Sequence, residues 1–161
     1  MKIRAIADSD IARCAEIYNY YIENTTVTFE EAPLSEKEFG ERAARIKKDY
    51  PYIVAEQDGV VVGYAYLDKY NERSAYRYTA DLSVYLDKSC VAKGTGSRLY
   101  ESIEAMAADI GIRSIVSLVT GENEPSVVFH KKHGFDRVGI LSKVGIKFGR
   151  WLDVVLFQKK I

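Results

Sequence analysis

With 161 residues, of which 47% are hydrophobic, the chain is long enough for one domain with a buried core and too apolar for a disordered protein. Its 23 basic and 23 acidic residues balance, so charge favours neither nucleic acid nor a membrane surface as a partner. The two cysteines, Cys14 and Cys90, stand in no metal-binding or disulfide spacing. We therefore expect a single domain over residues 1–161, cytoplasmic, with reduced thiols, no signal peptide, no membrane span and no metal.

The first half of the chain predicts two helices and three strands. Alternation favours strands, spacing of three and four favours helices, and the Asp58-Gly59 pair is a strong hairpin signal. The predicted elements are a strand over 2–7, a helix over 11–23, a loop over 24–33, a helix after the capping box Ser35-Glu36-Lys37-Glu38, and strands over 52–57 and 60–68.

The second half predicts strands and helices in alternation. The predicted elements are a strand from about Tyr76 to Leu86, a glycine-containing turn, a helix ending at Gly111, a strand over 114–120, a helix capped by Asn123, and strands over 135–142 and 151–159 joined by a loop. The order β-α-α-β-β-β-α-β-α-β-β predicts an α/β fold with a mixed central sheet flanked by helices.

Small residues dominate the turn Val91-Ala92-Lys93-Gly94-Thr95-Gly96 between a predicted strand and a predicted helix. Glycine lets a backbone approach a ligand, and the free N–H groups at the start of a helix attract phosphate. The same residues also fit an ordinary strand-to-helix connection in which glycine only permits the bend. The turn alone does not choose between these interpretations.

The strand before this turn carries an unusual polar face. Because strand side chains alternate, one face would hold Arg77, Thr79, Asp81, Ser83 and Tyr85. This face either lines a cavity or meets solvent on the open side of an antiparallel sheet. The predicted helices on both sides of the sheet favour a cavity.

The element order and the strand–VAKGTG–helix unit resemble the GNAT superfamily of acyl-CoA-dependent N-acyltransferases. Four further segments resemble one branch, the phosphinothricin and methionine sulfoximine N-acetyltransferases. They are IYNYYIENTTVTFEEAPLS, GYAYLDKYNERSAYRYTADLSVYL, NEPSVVFHKKHGF and VGIKFGRWLDVVLFQ. The chain departs from the family pattern at Val91, which replaces Gln or Arg, and at Asp81, which replaces Glu.

The resemblance implies the GNAT fold and transfer of an acetyl group from acetyl-CoA to the α-amine of a free amino acid or analogue. The implied contacts to the cofactor come from the strand, the turn and the following helix. They are Leu82, Ser83, Val84, Tyr85, Val91, Ala92, Lys93, Gly94, Thr95, Gly96, Asn123 and Ser126. The last two also fit simple helix capping.

Asp81 is the candidate general base, acting through water, because an ammonium must lose a proton before it can attack. A structural ion pair with Arg73 or Arg77 is the alternative. The backbone N–H groups from Leu82 to Val84 are candidate donors to the thioester oxygen, provided that the strand separates from its neighbour there. By resemblance His130 is the candidate general acid; packing near a helix end is the alternative.

Acceptor recognition is assigned to an early aromatic loop and to the residues before the polar strand. The candidates are Phe29, Glu30, Arg73, Tyr76 and Arg77, with Arg73 favoured as the carboxylate ligand. Trp151 and the 143–150 loop resemble a segment associated with a homodimer interface, and core packing explains Trp151 equally well. The competing functions are acetylation of a polyamine, an aminoglycoside or a protein N-terminus, and non-catalytic binding of acyl-CoA.

Overall fold

The computed structural model describes residues 1–91 and 93–161. The strands are β1 (Lys2–Ala5), β2 (Tyr52–Gln57), β3 (Val60–Lys69), β4 (Thr79–Leu86), β5 (Ser114–Thr120), β6 (Asp136–Lys147) and β7 (Arg150–Lys160). The helices are α1 (Ile11–Asn24), α2 (Glu36–Lys47), α3 (Thr95–Asp109) and α4 (Glu124–Lys132), and short 3-10 turns span Asp8–Asp10 and Ser74–Tyr76. The predicted order of helices and strands is confirmed.

All seven strands form one mixed sheet in the order β1-β2-β3-β4-β5-β7-β6. Neighbouring strands are antiparallel except for β4 and β5, which run parallel. The crossover between these two strands is made by α3, as a parallel connection requires. Within the described residues, the carboxyl ends of two neighbouring strands therefore lie side by side at the centre of the sheet, where β4 and β5 run parallel.

Two local signals fold as the sequence predicts. Asp58 and Gly59 both have positive φ, 51° and 79°, as the tight turn of the β2–β3 hairpin demands. At the start of α2 the Glu38 N–H donates to Ser35 Oγ at 3.1 Å, and the Ser35 N–H donates to Glu38 Oε2 at 2.7 Å. This reciprocal pair satisfies helix-end donors and fixes where α2 begins.

Helices cover both faces of the sheet and bury two hydrophobic clusters. One face packs against α3 through residues such as Leu99 and Ile103, and the other against α1 and α2 through residues such as Ile17 and Phe39. The spacing of Leu99, Ile103, Met106 and Ile110 predicts that all four face inward, but Met106 and Ile110 are 37% and 50% exposed. Tyr100 and Ala107 take the buried positions instead, because the inward stripe of α3 is rotated from the predicted one.

The C-terminal hairpin is longer than the sequence predicts. The segment 143–150 was expected to be a loop, but β6 continues to Lys147 and β7 begins at Arg150. Phe148 and Gly149 both have positive φ and close this hairpin as a tight two-residue turn. Within the described residues no helix is long and apolar enough to span a membrane.

Candidate active site

The parallel strands β4 and β5 separate halfway along their length. Their last paired residues are Asp81 and Val116, although β4 continues to Leu86 and β5 to Thr120. The condition set by the sequence, that the strand leaves its neighbour after Asp81, is therefore met. A gap with unpaired backbone groups on its walls opens at the centre of the sheet.

The strand register shows which backbone groups face this gap. The Asp87 N–H donates to the Val62 carbonyl at 2.8 Å, in line with the β3–β4 register. Antiparallel pairs alternate, so the odd-numbered residues of β4 bond to β3 and the even-numbered residues face β5. Beyond the last β4–β5 pair, the N–H and C=O of Val84 therefore face the gap. Of the candidates from Leu82 to Val84, Val84 has the free donor that a developing oxyanion requires.

The start of α3 lies next to the end of β4. Gly94 is the N-cap residue with φ of 81°, and open space surrounds the position where a side chain would begin. Gly96 is buried, and a Cβ atom there would touch Leu86 and Phe129 at 3.5 Å. The first N–H groups of α3 have no partner within a helix, so they fit a diphosphate. The fit to coenzyme A is thus carried by the backbone.

The other predicted residues of the turn differ in exposure. Val91 and Lys93 are exposed, whereas Thr95 is buried, and contact of these side chains with the cofactor stays a prediction. Ala92 lies outside the described residues. Because the cradle is made of amides, Val91 in place of Gln or Arg removes a side-chain contact and leaves the backbone donors.

Asp81 lies at the inner end of the gap, on the sheet face that packs against α1 and α2. Burial is the main cause that raises the pKa of this carboxyl to about 6, and the charge of Asp68 adds to the effect. A backbone hydrogen bond from Leu82 acts in the opposite direction. Among the described residues no side chain donates a hydrogen bond or forms an ion pair with Asp81. A carboxylate of this kind is ionised at neutral pH and free to accept a proton.

Ser83 and Tyr85 share the face of Asp81, as the alternation of β4 predicts. Opposite them on β3 lie Tyr66 and Tyr64, in the order given by the strand register. The rings of Tyr64 and Tyr66 belong to an aromatic wall, in which the ring centres of Tyr64 and Tyr85 are 5.5 Å apart. Tyr66 and its neighbour Asp68 were missed from the sequence. The available signal was the alternation along β3, which places Tyr64, Tyr66 and Asp68 on one face.

His130 lies on the opposite side of the sheet, in α4, and is 5% exposed. Its Nδ1 is 2.7 Å from the Ser126 carbonyl, which can only accept, so Nδ1 carries the proton. Its Nε2 then accepts from the Ser117 hydroxyl at 2.8 Å. Burial is the main cause that lowers the pKa of His130. The general-acid role stays a prediction, and it requires that Nε2 be protonated.

The sequence allows two interpretations of Asn123 and Ser126, contact with the cofactor or capping of a helix. The Asn123 side chain accepts from the Ser126 N–H at 3.3 Å and caps α4. The Ser126 carbonyl holds His130. Both residues thus have a structural task in α4, and contact with the cofactor stays a prediction for each.

The early loop is fixed against the C-terminal hairpin. The Phe29 ring packs on Gly145 so closely that a Cβ atom there would lie 2.2 Å from Phe29 Cε2. The buried Lys147 Nζ donates to the Thr28 carbonyl at 2.8 Å. The Glu30 carboxylate is occupied by Tyr18 and by Arg42, whose two nitrogens donate at 2.6 and 2.9 Å. The packing of Phe29 fixes the loop on the hairpin, and its role as a wall of the acceptor pocket stays a prediction, whereas Glu30 already has protein partners.

The predicted strand start was wrong for Arg77. The backbone N–H groups of Tyr76 and Arg77 donate to the carbonyls of Arg73 and Ser74, which closes a 3-10 turn before β4 begins at Thr79. Arg77 thus leaves the polar face of β4, and its guanidinium lies 4.4 Å from the Tyr78 ring centre. Arg73 and Tyr76 are exposed on the same turn. Their roles in acceptor binding stay predictions.

Comparison with known proteins relates this geometry to a family. The profile of the acetyltransferase (GNAT) domain matches residues 3–156. The chain is 36% identical over 161 residues to the phosphinothricin N-acetyltransferase of Alcaligenes faecalis, covering 99% of this chain and 82% of that relative. It is 31% identical over 162 residues to the L-methionine sulfoximine/L-methionine sulfone acetyltransferase of Salmonella typhimurium, covering 100% of this chain and 95% of that relative.

The fold is similar to solved structures over nearly its whole length. The phosphinothricin acetyltransferase of Sinorhizobium meliloti, solved in complex with AcCoA, superposes with a TM-score of 0.96. It is 33% identical, and the match covers 99% of this chain and 88% of that one. Sequence and fold are therefore both similar to those of proteins named as acetyltransferases.

Proposed function

Because the chain belongs to the GNAT family of acetyltransferases, whose acyl donor is acetyl-CoA, we propose that it acetylates the α-amine of a small amino acid or analogue. The acceptors that we propose are of the phosphinothricin, methionine sulfoximine and methionine sulfone type, which are named for its relatives. The observation that carries this proposal is the position of Asp81 at the point where β4 and β5 separate. A base and an acyl-binding gap meet there.

The proposed roles follow from the geometry of the gap. The Asp81 carboxylate takes a proton from the ammonium of the acceptor through a water molecule, which leaves a neutral amine able to attack the acetyl group. The Val84 N–H donates to the oxygen on which negative charge develops. The N–H groups at the start of α3 hold the diphosphate of the donor. Arg73 supplies a guanidinium for the carboxylate of the acceptor.

A coupled assay of thiol release from acetyl-CoA tests the proposal. The panel contains phosphinothricin, methionine sulfoximine, methionine sulfone and common amino acids, with spermidine, an aminoglycoside and a short peptide with a free N-terminus as competing acceptors. Turnover confined to the first group is expected. Turnover confined to the competing acceptors would replace the proposal, and binding of acetyl-CoA without any turnover would identify a non-catalytic module.

We also propose that a second copy of the chain covers the outer face of the C-terminal hairpin. Large apolar side chains are exposed on this hairpin far more densely than elsewhere; they are Val138, Ile140, Leu141, Val144, Ile146, Phe148 and Trp151. Monomers rarely expose a contiguous apolar patch of this kind, and identical patches pair readily by two-fold symmetry. A homodimer would bury Trp151, which is 62% exposed in the single chain.

The cytoplasm is the compartment that we propose. Cys14 and Cys90 are both free and both buried. A pair of unlinked thiols is typical of a reducing compartment. Intact thiols in protein isolated under non-reducing conditions, measured by mass spectrometry, are the expected result.

A further inference from the structure

Asp68 lies directly opposite Asp81 in the sheet. The two residues are Cα partners in the antiparallel register of β3 and β4, so their side chains share one face. The Cβ atoms of such a pair are about 4.5–5.5 Å apart. Like charges in this position destabilise a sheet. The paired carboxylates therefore lower the free energy of unfolding. A function that needs two carboxylates would explain why both are present.

Helix α2 holds Asp68 in this place. The Arg45 guanidinium donates to both carboxylate oxygens of Asp68, at 3.0 and 2.8 Å. A bidentate pair fixes the direction of the carboxylate as well as its position. No arginine or lysine of the described residues pairs with Asp81 in this way. One carboxylate is thus anchored and the other is left free.

The remaining groups around Asp81 do not cancel the charge of Asp68. On β3 the neighbour is Tyr66, and on β4 it is Ser83. The residue of β5 paired with Asp81 is Val116, which is apolar. From α2, Arg45 is paired with Asp68 and Arg42 with Glu30. Among the described residues Asp68 is therefore the charged group that lies directly across the sheet from Asp81.

Asp68 also borders open space. A cavity of about 370 Å³ lies between α2 and the sheet, and its walls include Asp68 and Tyr66. The cavity therefore reaches the β3 positions directly across from Asp81 and Ser83. A group that approaches Asp81 from this side passes the Asp68 carboxylate. The same face of the sheet is where the proposed acceptor must arrive.

We propose that Asp68 is a positioning residue for Asp81: its carboxylate, anchored by Arg45, lies across the sheet from the base and strengthens its hold on the proton of the acceptor amine. The inference rests on the proposed function. The proton moves from the ammonium to the Asp81 carboxylate, leaving a neutral amine and a carboxylic acid, and Asp68 takes no proton. The direction of the Asp81 pKa, raised by burial and then by Asp68, is consistent with this role.

Two substitutions separate the charge of Asp68 from its ion pair. Asp68→Asn removes both the charge and the pair, whereas Arg45→Gln removes the pair and leaves the charge. The readouts are the acidic limb of kcat/KM against pH and the titration of the Asp81 carboxyl carbon by ¹³C NMR. With Asp68→Asn, both midpoints should fall by roughly half to one pH unit, as expected for loss of a partly screened like charge. With Arg45→Gln, they should stay or rise.

Asp8→Asn is the matched control, because it removes another ion pair of α2, between Asp8 and Lys47 at 2.9 Å, far from β4. Its midpoints should equal those of the wild type. An unchanged midpoint in Asp68→Asn overturns the inference. So does an equal fall in Asp68→Asn and Arg45→Gln, which would show that only the ion pair matters. The NMR titration reads Asp81 without turnover, so an inactive wild type would contradict the proposed function and still test Asp68.

Discussion

The Nε2 atom of His130 accepts a hydrogen bond from the Ser117 hydroxyl, with 2.8 Å between the two atoms. Ser117 is the first residue of β5 after its last pairing with β4, so this bond ties α4 to the wall of the central gap. The imidazole also stacks on Phe157, with ring centres 4.9 Å apart. Buried and bonded at both nitrogens, His130 connects α4 to β5 beside the gap.

The buried state of His130 predicts how stability changes with pH. Its folded pKa lies below the usual value of 6.5, so the unfolded chain binds more protons once the pH falls below that value. The contribution of His130 to the free energy of unfolding should therefore decline as the pH falls from 7.5 to 5.5, against the opposite contribution of Asp81. This contribution should be absent from His130→Gln, which keeps a polar side chain that cannot be charged. Urea unfolding of the wild type and of His130→Gln at each pH measures the free energy of unfolding.

His133→Gln provides the comparison for this measurement. Burial also lowers the pKa of His133, but that residue is only partly buried and bonds to Ser97 at 2.9 Å. Its replacement should therefore change the pH dependence less than His130→Gln. Equal slopes in the wild type and in His130→Gln would contradict the prediction.

Most helices and strands could be predicted from rules that involve only residues close in the chain. The capping box at Ser35 and the turn at Asp58-Gly59 each depend on residues close in the chain, and both fold as expected. The same rules failed where a stronger local alternative existed. The segment before Thr79 closes a 3-10 turn, and the Phe148-Gly149 turn lets β6 run on to Lys147.

In the candidate site, the sequence predicted which residues share a face of one strand, but it did not predict their partners on other strands. Alternation along β4 placed Asp81, Ser83 and Tyr85 on one face, and that placement holds. The partner of Asp81 across the sheet, Asp68, depends on the β3–β4 register, which the sequence of neither strand contains. The burial of His130 likewise depends on Phe157, a residue from the far end of the chain.

Replacing Asp81 should separate activity from stability. Asp81→Asn removes the proposed base, so turnover should fall by roughly 10²- to 10⁴-fold, with binding of acetyl-CoA unchanged. The folded pKa of about 6 exceeds the reference value of 3.8, so ionised Asp81 destabilises the fold above pH 6. At pH 8 the variant should therefore be more stable, by up to about 3 kcal/mol. This gain should shrink as the pH falls below 6 and disappear as the pH falls through 3.8.

Asp58→Asn, in the exposed hairpin turn, is the matched control for the Asp81 variant and should change neither quantity. Thiol release measures turnover, and calorimetric titration measures binding of acetyl-CoA. Undiminished turnover in Asp81→Asn would remove Asp81 as the base. A loss of turnover together with a loss of stability at pH 8 would point to a structural role.

Arg73→Ala should raise the KM for the amino acid with little change in the KM for acetyl-CoA. Loss of a hydrogen bond to a charged group corresponds to roughly 10- to 100-fold in KM. Arg77→Ala should have a smaller effect, because the Arg77 guanidinium already lies on Tyr78 and donates to the Ser74 carbonyl. Steady-state kinetics on both variants measures the KM for the amino acid and for acetyl-CoA and shows which arginine binds the carboxylate. A larger effect from Arg77 would reverse the assignment, and unchanged KM values with a lower melting temperature would make Arg73 structural.

Trp151→Lys should convert the proposed dimer into a monomer, because it places a charge in the centre of the apolar face. Val60→Lys is the matched control, since Val60 is also an exposed apolar residue, 52% against 62%, but lies on the β2–β3 hairpin. Sedimentation velocity should show a dimer for the wild type and for Val60→Lys. A monomeric wild type would rule out the dimer, and a dimeric Trp151→Lys would move the interface to another surface.

Gly145→Ala should weaken acceptor binding through Phe29. A Cβ atom at residue 145 would lie 2.2 Å from Phe29 Cε2 and 2.6 Å from Cδ2, so the ring must leave its position. Because Phe29 is the proposed wall of the acceptor pocket, the KM for the amino acid should rise severalfold. Gly139→Ala on the same strand is the control, since its Cβ would meet only Leu156 Cδ1 at an ordinary 3.5 Å. Equal KM values in the two variants would show that Phe29 fixes the loop and does not contact the acceptor.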